Sequence, residues 1–299
     1  MRVFVTGATG FIGQPLVREL VAAGHQVLGL ARSEKSSALL ASLGAEVHLG
    51  SLDDPASLAQ GASLCDAVVH LAFIHDFSDY AGACATDQAA ISAMGDALKG
   101  RRGALVITSG TLMMPPGRLA HEDDATDTTS PFTSLRAASE KVALGLAQHG
   151  VRVCVVRLPP TNHGEGDQGF VASLVATAKE KGVAAYVGDG ENRWPATHRL
   201  DTATVFRLAL EKGEAGAVFH AVAEEGVKLK DVVAEIGKSL GVPVVSKTTQ
   251  EASEHFGFLG MVVPVDNPAS SAKTREQLGW VPVQPTLLED LKNGVYVKD

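Results

Sequence analysis

The stretch VFVTGATGFIG, Val3 to Gly13, carries Gly7, Gly10 and Gly13 behind a β-branched and aromatic run and ahead of GQPLVRELVAAGH, where apolar residues recur at helical spacing. A strand, a glycine turn and an amphipathic helix in that order suit a dinucleotide pyrophosphate. Glycine permits the tight turn and a close approach of the backbone, and the anion then lies at the positive end of the helix. Gly7, Thr9, Gly10, Phe11, Ile12 and Gly13 are therefore the first candidate cofactor residues. Gly24 reads as the glycine that ends the helix before the next strand.

Outward from this turn the same alternation continues. QVLGLA, AEVHLG, AVVHLA, ALVITS and VRVCVVRL read as buried strands with helix-like segments between most of them. That is a βαβ pattern, and it predicts an α/β fold with a doubly wound parallel sheet of the Rossmann type. Residues 1–160 are expected to form the dinucleotide-binding domain, completed by about 200–224, with 161–199 and 225–299 forming a smaller substrate lobe. HEDDATDTTSP, residues 121–131, reads as an acidic surface loop, and there is no internal repeat.

A chain of 299 residues can bury a sizeable core. A formal charge of -8 argues against nucleic-acid or membrane-surface partners and leaves a small-molecule substrate as the expected one; a homodimer is compatible with the sequence. Cys65, Cys84 and Cys154 are odd in number and scattered through apolar surroundings, which suggests neither disulfides nor a metal site. The glycine motif begins at Gly7, too early for a signal peptide, and no run of about 18 apolar residues occurs, so a cytoplasmic location is expected.

The end of the second predicted strand bears on the cofactor. An acid there would bond a ribose 2′-hydroxyl, whereas a basic residue suits a 2′-phosphate. The stretch is GLARSEK, with Arg32 and Ser33 in place and no acid before Glu34. A guanidinium matches phosphate geometry, so NADP is favoured and NAD is the alternative. Read blandly, Arg32 is a solvated residue at a strand end.

The motifs TGATGFIG, VVHLA (68–72), VVRLPPTNHGEGD, VGDGENRWPATHRLD and REQLGWVP together resemble the extended short-chain dehydrogenase/reductase family, which includes nucleotide-sugar epimerases and dehydratases. The likeness covers nearly the whole chain. A doubly wound sheet presents its ligand at the strand C-termini. With the resemblance, this extends the cofactor set to Ser51, Leu52, Leu71, Ala72, Phe73, Ser109, Leu158 and Pro160. The family acts through an Asn, a Ser or Thr, and a Tyr-x-x-x-Lys pair. Set against that pattern, PFTSLRAASEK (131–141) puts Phe132 at the tyrosine and Arg136 at the lysine. LVITSGT puts Gly110 at the hydroxyl, flanked by Ser109 and Thr111, and Asp87 falls at the asparagine. No Tyr-x-x-x-Lys occurs anywhere in the chain.

The change is chemically severe. Carbonyl reduction needs a hydride and a proton; phenylalanine has no proton to give, and arginine, with a pKa above about 12, is a charge rather than an acid. Arg136 can still bond the nicotinamide ribose, as the family's lysine does. Replacement donors are sought on the loops after the strands, at His75, Tyr80 and His163, with Thr111 as a further hydroxyl. Each histidine has a bland reading as a hydrogen-bonded loop residue, and His70 reads as a packed strand residue. Arg193, Trp194 and His198 are expected to wall a substrate pocket, although a lone tryptophan is more often core. Three functions fit: an NADP-dependent oxidoreductase with a non-standard proton donor, a non-catalytic NADP-binding sensor or regulator, and an epimerase- or dehydratase-like enzyme.

Overall fold

The computed structural model describes residues 1–101 and 103–297. The first half alternates strand and helix: β1 (Arg2–Thr6), α1 (Gly13–Ala22), β2 (Gln26–Ala31), α2 (Glu34–Ser42), β3 (Glu46–Leu49), α3 (Pro55–Ser63), β4 (Ala67–His70), α4 (Tyr80–Leu98), β5 (Ala104–Gly110), α5 (Pro131–Gly145) and β6 (Arg152–Leu158). The second half runs through β7 (Thr161–His163), α6 (Phe170–Lys181), β8 (Ala184–Val187), β9 (Arg193–His198), α7 (Arg199–Lys212), β10 (Ala217–His220) and β11 (Glu224–Lys228). It ends with α8 (Leu229–Leu240), β12 (Val244–Lys247), α9 (Thr249–Phe256), α10 (Ala272–Leu278) and α11 (Leu287–Lys292).

Seven parallel strands form the main sheet in the order β10-β6-β5-β4-β1-β2-β3, the doubly wound fold expected from the strand and helix pattern. Side chains alternate across it, as the pleat requires. Val3 and Val5 pack with Leu16, Leu20 and Phe206 on the face covered by α1 and α7, while Phe4 packs with Leu58, Ile91 and Met94 beneath α3 and α4. Burying each such side chain contributes about 1.5–3 kcal/mol. Gly24 stands at φ +83°, where a left-handed residue stops α1.

A second core lies in a lobe where Trp194, Leu174, Leu229, Ile236 and Leu287 pack together around the β11-β9-β7 sheet and the β12-β8 pair. The segment read as an acidic surface loop packs against α10. Glu122 in it is a correction: only 3% exposed, its Oε1 accepts both the Thr274 amide and the Thr274 hydroxyl at 2.7 Å. Those two donors satisfy a carboxylate that would otherwise be costly to bury. No helix among the described residues is long and apolar enough to cross a membrane.

Candidate active site

Because the main sheet is parallel, β1, β4, β5 and β6 all end at one edge, and the candidate residues converge there. At the β1 end three glycines answer to three different demands. Gly7 has φ +66°, and a Cβ on it would lie 2.8 Å from the Ala72 amide nitrogen. A Cβ on Gly13 would lie 2.0 Å from the Gly7 carbonyl oxygen, so close helix–strand packing excludes it. Gly10 is exposed, and its Cβ would meet only the Gly7 oxygen, at 3.1 Å. The fold itself thus asks least of Gly10, and its bare face is what a close-lying ligand would use. Among the described residues no side chain caps α1, and no acid stands in its first turn. The N-terminal amides of that helix suit a dinucleotide pyrophosphate, so the turn fits the cofactor.

Leu71 and Ala72 border the same turn, their amides donating to the Thr6 carbonyl and hydroxyl at 3.3 Å. Arg32 is exposed at the end of β2, while the Ser33 hydroxyl caps α2 by accepting the Ser36 amide. Ser51 and Leu52 follow β3, with Ser51 bonded to Asp53. Leu158, the last residue of β6, and Pro160, just beyond it, are half-buried. Ser109, near the end of β5, is 6% exposed, and its hydroxyl has no hydrogen-bond partner among the described residues. An orphaned buried hydroxyl at a ligand-facing sheet edge is a donor awaiting an acceptor.

A polar ladder leads from the glycine turn to α5. The Thr6 hydroxyl meets His70 Nδ1 at 2.7 Å, His70 Nε2 meets Asp87 Oδ1 at 3.1 Å, and Arg136 Nη1 donates to Asp87 Oδ2. Arg136 Nη2 donates to the Thr108 carbonyl at 2.7 Å, and its guanidinium lies 4.5 Å over the Phe73 ring. Burial pushes the Asp87 carboxyl up, but the His70 hydrogen bond and the Arg136 charge outweigh it and hold it below the usual carboxylate range. Asp87 and Arg136 are therefore an ionised pair, fixing a cation at the corner where β4, β5 and α5 meet.

That corner is aromatic. Phe132 stacks on Tyr80 with ring centroids 4.5 Å apart and planes 14° from parallel. Tyr80 contacts Phe73 at 6.2 Å, Phe73 contacts His75 at 5.5 Å, and Phe258 reaches Phe132 from the second lobe at 6.4 Å. Burial and the Cys84 thiol raise the Tyr80 phenol above its ordinary pKa, so it keeps its proton at neutral pH. Desolvation and then the Arg136 charge lower His75, which leaves it a neutral ring at pH 7.

Several expected site residues are elsewhere. Thr111 is fully buried and locked in a reciprocal pair with Asn267, its hydroxyl donating to Asn267 Oδ1 and its carbonyl accepting Nδ2, both at 2.9 Å; it fastens the lobes and has no proton to offer a substrate. His163 lies in β7, not on a ligand-facing loop, and is 1% exposed with Nδ1 bonded to Asp290 at 2.6 Å. Trp194 belongs to the second core, with its indole N–H on the Val265 carbonyl, and so walls no pocket. Arg193 spends its guanidinium on a two-pronged bond to Asp266, and His198 Nδ1 accepts the Leu200 amide at the start of α7.

One neighbour of the glycine turn was missed in the sequence. Arg199, the first residue of α7, lays its guanidinium 4.8 Å over the Phe11 ring. Its cue was slight: a second basic residue in THRLD, beside the histidine that drew the attention.

A family model described as the NAD dependent epimerase/dehydratase family matches residues 3–222. A Schizosaccharomyces pombe protein described as uncharacterized is 48% identical over 297 residues, 99% of this chain and 100% of that one. A 2-alkyl-3-oxoalkanoate reductase of Stenotrophomonas maltophilia is 28% identical over 267 residues, 83% of this chain and 78% of its own. Among solved structures, the dTDP-glucose 4,6-dehydratase DesIV of Streptomyces venezuelae, with NAD and TYD bound, superposes with a TM-score of 0.79 at 22% identity, covering 99% of this chain and 96% of that one.

Proposed function

From the premise that the chain belongs to the NAD dependent epimerase/dehydratase family, we propose that it is an NADP(H)-dependent oxidoreductase that reduces the carbonyl of a small apolar molecule, with Tyr80 as the proton donor. The observation that carries this reading is the stacking of Tyr80 on Phe132. The ring that cannot give a proton is covered by one that can, so the missing hydroxyl is supplied from α4 instead of α5. Arg32 at the end of β2 supports the choice of NADP, because a guanidinium there suits a 2′-phosphate. The aromatic wall of Phe73, Phe132 and Phe258 favours an apolar substrate, and the likeness to a reductase of 2-alkyl-3-oxoalkanoates supports a carbonyl next to an alkyl chain.

When bound, the reduced nicotinamide supplies the hydride. This chain's part is to hold the carbonyl and manage its oxygen. The aromatic wall excludes water and packs the alkyl chain. As the carbonyl carbon gains hydrogen, its oxygen takes the Tyr80 proton and the product leaves as an alcohol. The phenolate left behind is steadied by Arg136, which Asp87 and the Thr108 carbonyl hold in place, and it regains a proton from water once the product has left and water re-enters. The Ser109 hydroxyl is free to donate to the same oxygen before transfer.

The test is NADPH oxidation over a panel of short- and medium-chain 3-oxo compounds. Tyr80→Phe is expected to lower turnover by about 100-fold or more, the usual weight of a lost general acid, while Phe132→Ala lowers it by less than about tenfold. Unchanged turnover in Tyr80→Phe removes the assignment. If NADPH binds the wild-type protein but no compound of the panel is reduced, the reading gives way to the non-catalytic sensor.

A further inference from the structure

Where the second lobe meets the glycine turn, Arg199 occupies a place built for it. Gly164 has φ +126°, and a Cβ there would come within 2.8 Å of His198 Nε2 and 3.1 Å of Arg199 Cγ. Gly166 has φ +84°, and its Cβ would lie 3.5 Å from Arg199 Nη1. Gly164 thus leaves the arginine room beside the segment after β7, whereas a side chain at Gly166 would meet it only at ordinary van der Waals distance. Its Nη1 donates to the Glu165 carbonyl, and its guanidinium lies over the Phe11 ring. Its Nε is buried and has no hydrogen-bond partner among the described residues.

Those features call for a ligand. Phe11 and Ile12 carry the backbone that leads into α1, where the helix amides suit an anion. A guanidinium fixed over Phe11 adds a full positive charge and a fork of donors to the same place, and such a fork matches phosphate oxygens. Apolar packing alone does not explain an N–H buried without an acceptor.

We propose that Arg199 is a ligand of the cofactor diphosphate, reaching it from the first residue of α7, beside the α1 amides. The inference rests on the cofactor reading above but concerns a different part of the dinucleotide from Arg32. Arg32 reads the 2′-phosphate that separates NADP from NAD, whereas Arg199 holds the diphosphate the two share. It also ties the segment after β7 to the start of α7, because its Nη1 donates to the Glu165 carbonyl.

Calorimetric titration with NADP+, NAD+ and ADP-ribose tests it. Loss of a charge-assisted contact predicts that Arg199→Ala weakens all three by about 10- to 100-fold, leaving the ratio of NADP+ to NAD+ affinity unchanged. Arg32→Ala is expected to weaken NADP+ alone. Arg199→Lys, which keeps the charge without the fork, falls between wild type and alanine, and it carries the test if the alanine protein does not fold. The advantage of wild type over Arg199→Ala shrinks as NaCl is raised, because a charge contact is screened and a merely structural role is not. Arg199→Ala binding ADP-ribose as tightly as wild type overturns the inference. A wild-type protein that binds neither ADP-ribose nor either dinucleotide overturns the cofactor reading itself, a separate result.

Discussion

Two ionic residues one turn apart on α5, Arg136 and Glu140, each enter a buried pair, and the pairs behave differently. Glu140 takes Arg157 in a two-pronged bond, Oε1 to Nε at 3.0 Å and Oε2 to Nη2 at 2.9 Å. The side chains are 5% and 4% exposed. The remaining Arg157 donor faces the Glu122 and Asp124 carbonyls and His220, so the network closes on itself. Arg136, paired with Asp87, opens instead onto Phe73, Tyr80 and the strand ends where the ligand belongs. Buried ion pairs of one chemistry on one helix therefore sit in two different settings, and burial alone does not tell them apart. What distinguishes them is the neighbourhood of the remaining donors: fold carbonyls around Arg157, an aromatic ring beside a phenol around Arg136.

The comparison can be broken at its strongest point first. Glu140→Ala strands the Arg157 charge in a closed interior and is expected to cost about 3–5 kcal/mol, read from urea unfolding. A cost under about 1 kcal/mol would mean that water reaches Arg157 and that the network is not closed. Arg136→Ala strands Asp87 in the same way but beside an open edge, so about 3 kcal/mol is expected in the same measurement. Asp87→Asn added to it should recover part of the loss, because the stranded charge is then gone. The pair also predicts a split in function: turnover per folded molecule falls in Arg136→Ala and stays at wild-type level in any Glu140 variant that folds. Equal loss in both would erase the distinction.

The smallest effect sharpens the closed side. Burial and then the Arg157 charge push the His220 imidazole down to about 4. The unfolded chain binds that proton near pH 6.5 and the folded one does not, so this part of the stability is fully present above pH 6.5 and is lost as pH falls towards 4. At pH 5 the loss amounts to about 2 kcal/mol. The difference between the unfolding free energies read from urea titrations at pH 7 and pH 5 should be smaller by that amount in His220→Gln than in wild type. Identical differences would mean that His220 takes up its proton in the folded state.

The glycine turn and the parallel sheet were legible in the sequence because backbone geometry writes them directly. Gly7 needs a positive φ and Gly13 needs room for a neighbouring carbonyl, and only glycine meets either demand. The rest depended on which side chains meet across the fold. Tyr80 could be named as a candidate, but its partner Phe132 stands 52 residues away on another helix, and no local spacing announces that stack. Thr111 and His163 were credited with chemistry because polar residues near strand ends often have it, and Asn267 and Asp290, distant in sequence, claim them for the fold; Trp194 was read as a pocket wall or as core, and the Val265 carbonyl holds it in the core. Glu122 was misread for the same reason: an acidic run looks solvated until Thr274 is brought against it.

The path of the chain between the lobes has an engineering consequence. It leaves the main sheet after β6, returns with α7 and β10, departs again at β11, comes back as α10 against α7 and β10, and ends on the second lobe with α11. A lobe stitched in this way cannot be exchanged as a cassette between relatives, because any cut that frees it also removes a strand or a helix from its neighbour. On the function proposed above, new substrate preferences would have to be introduced residue by residue within the aromatic corner.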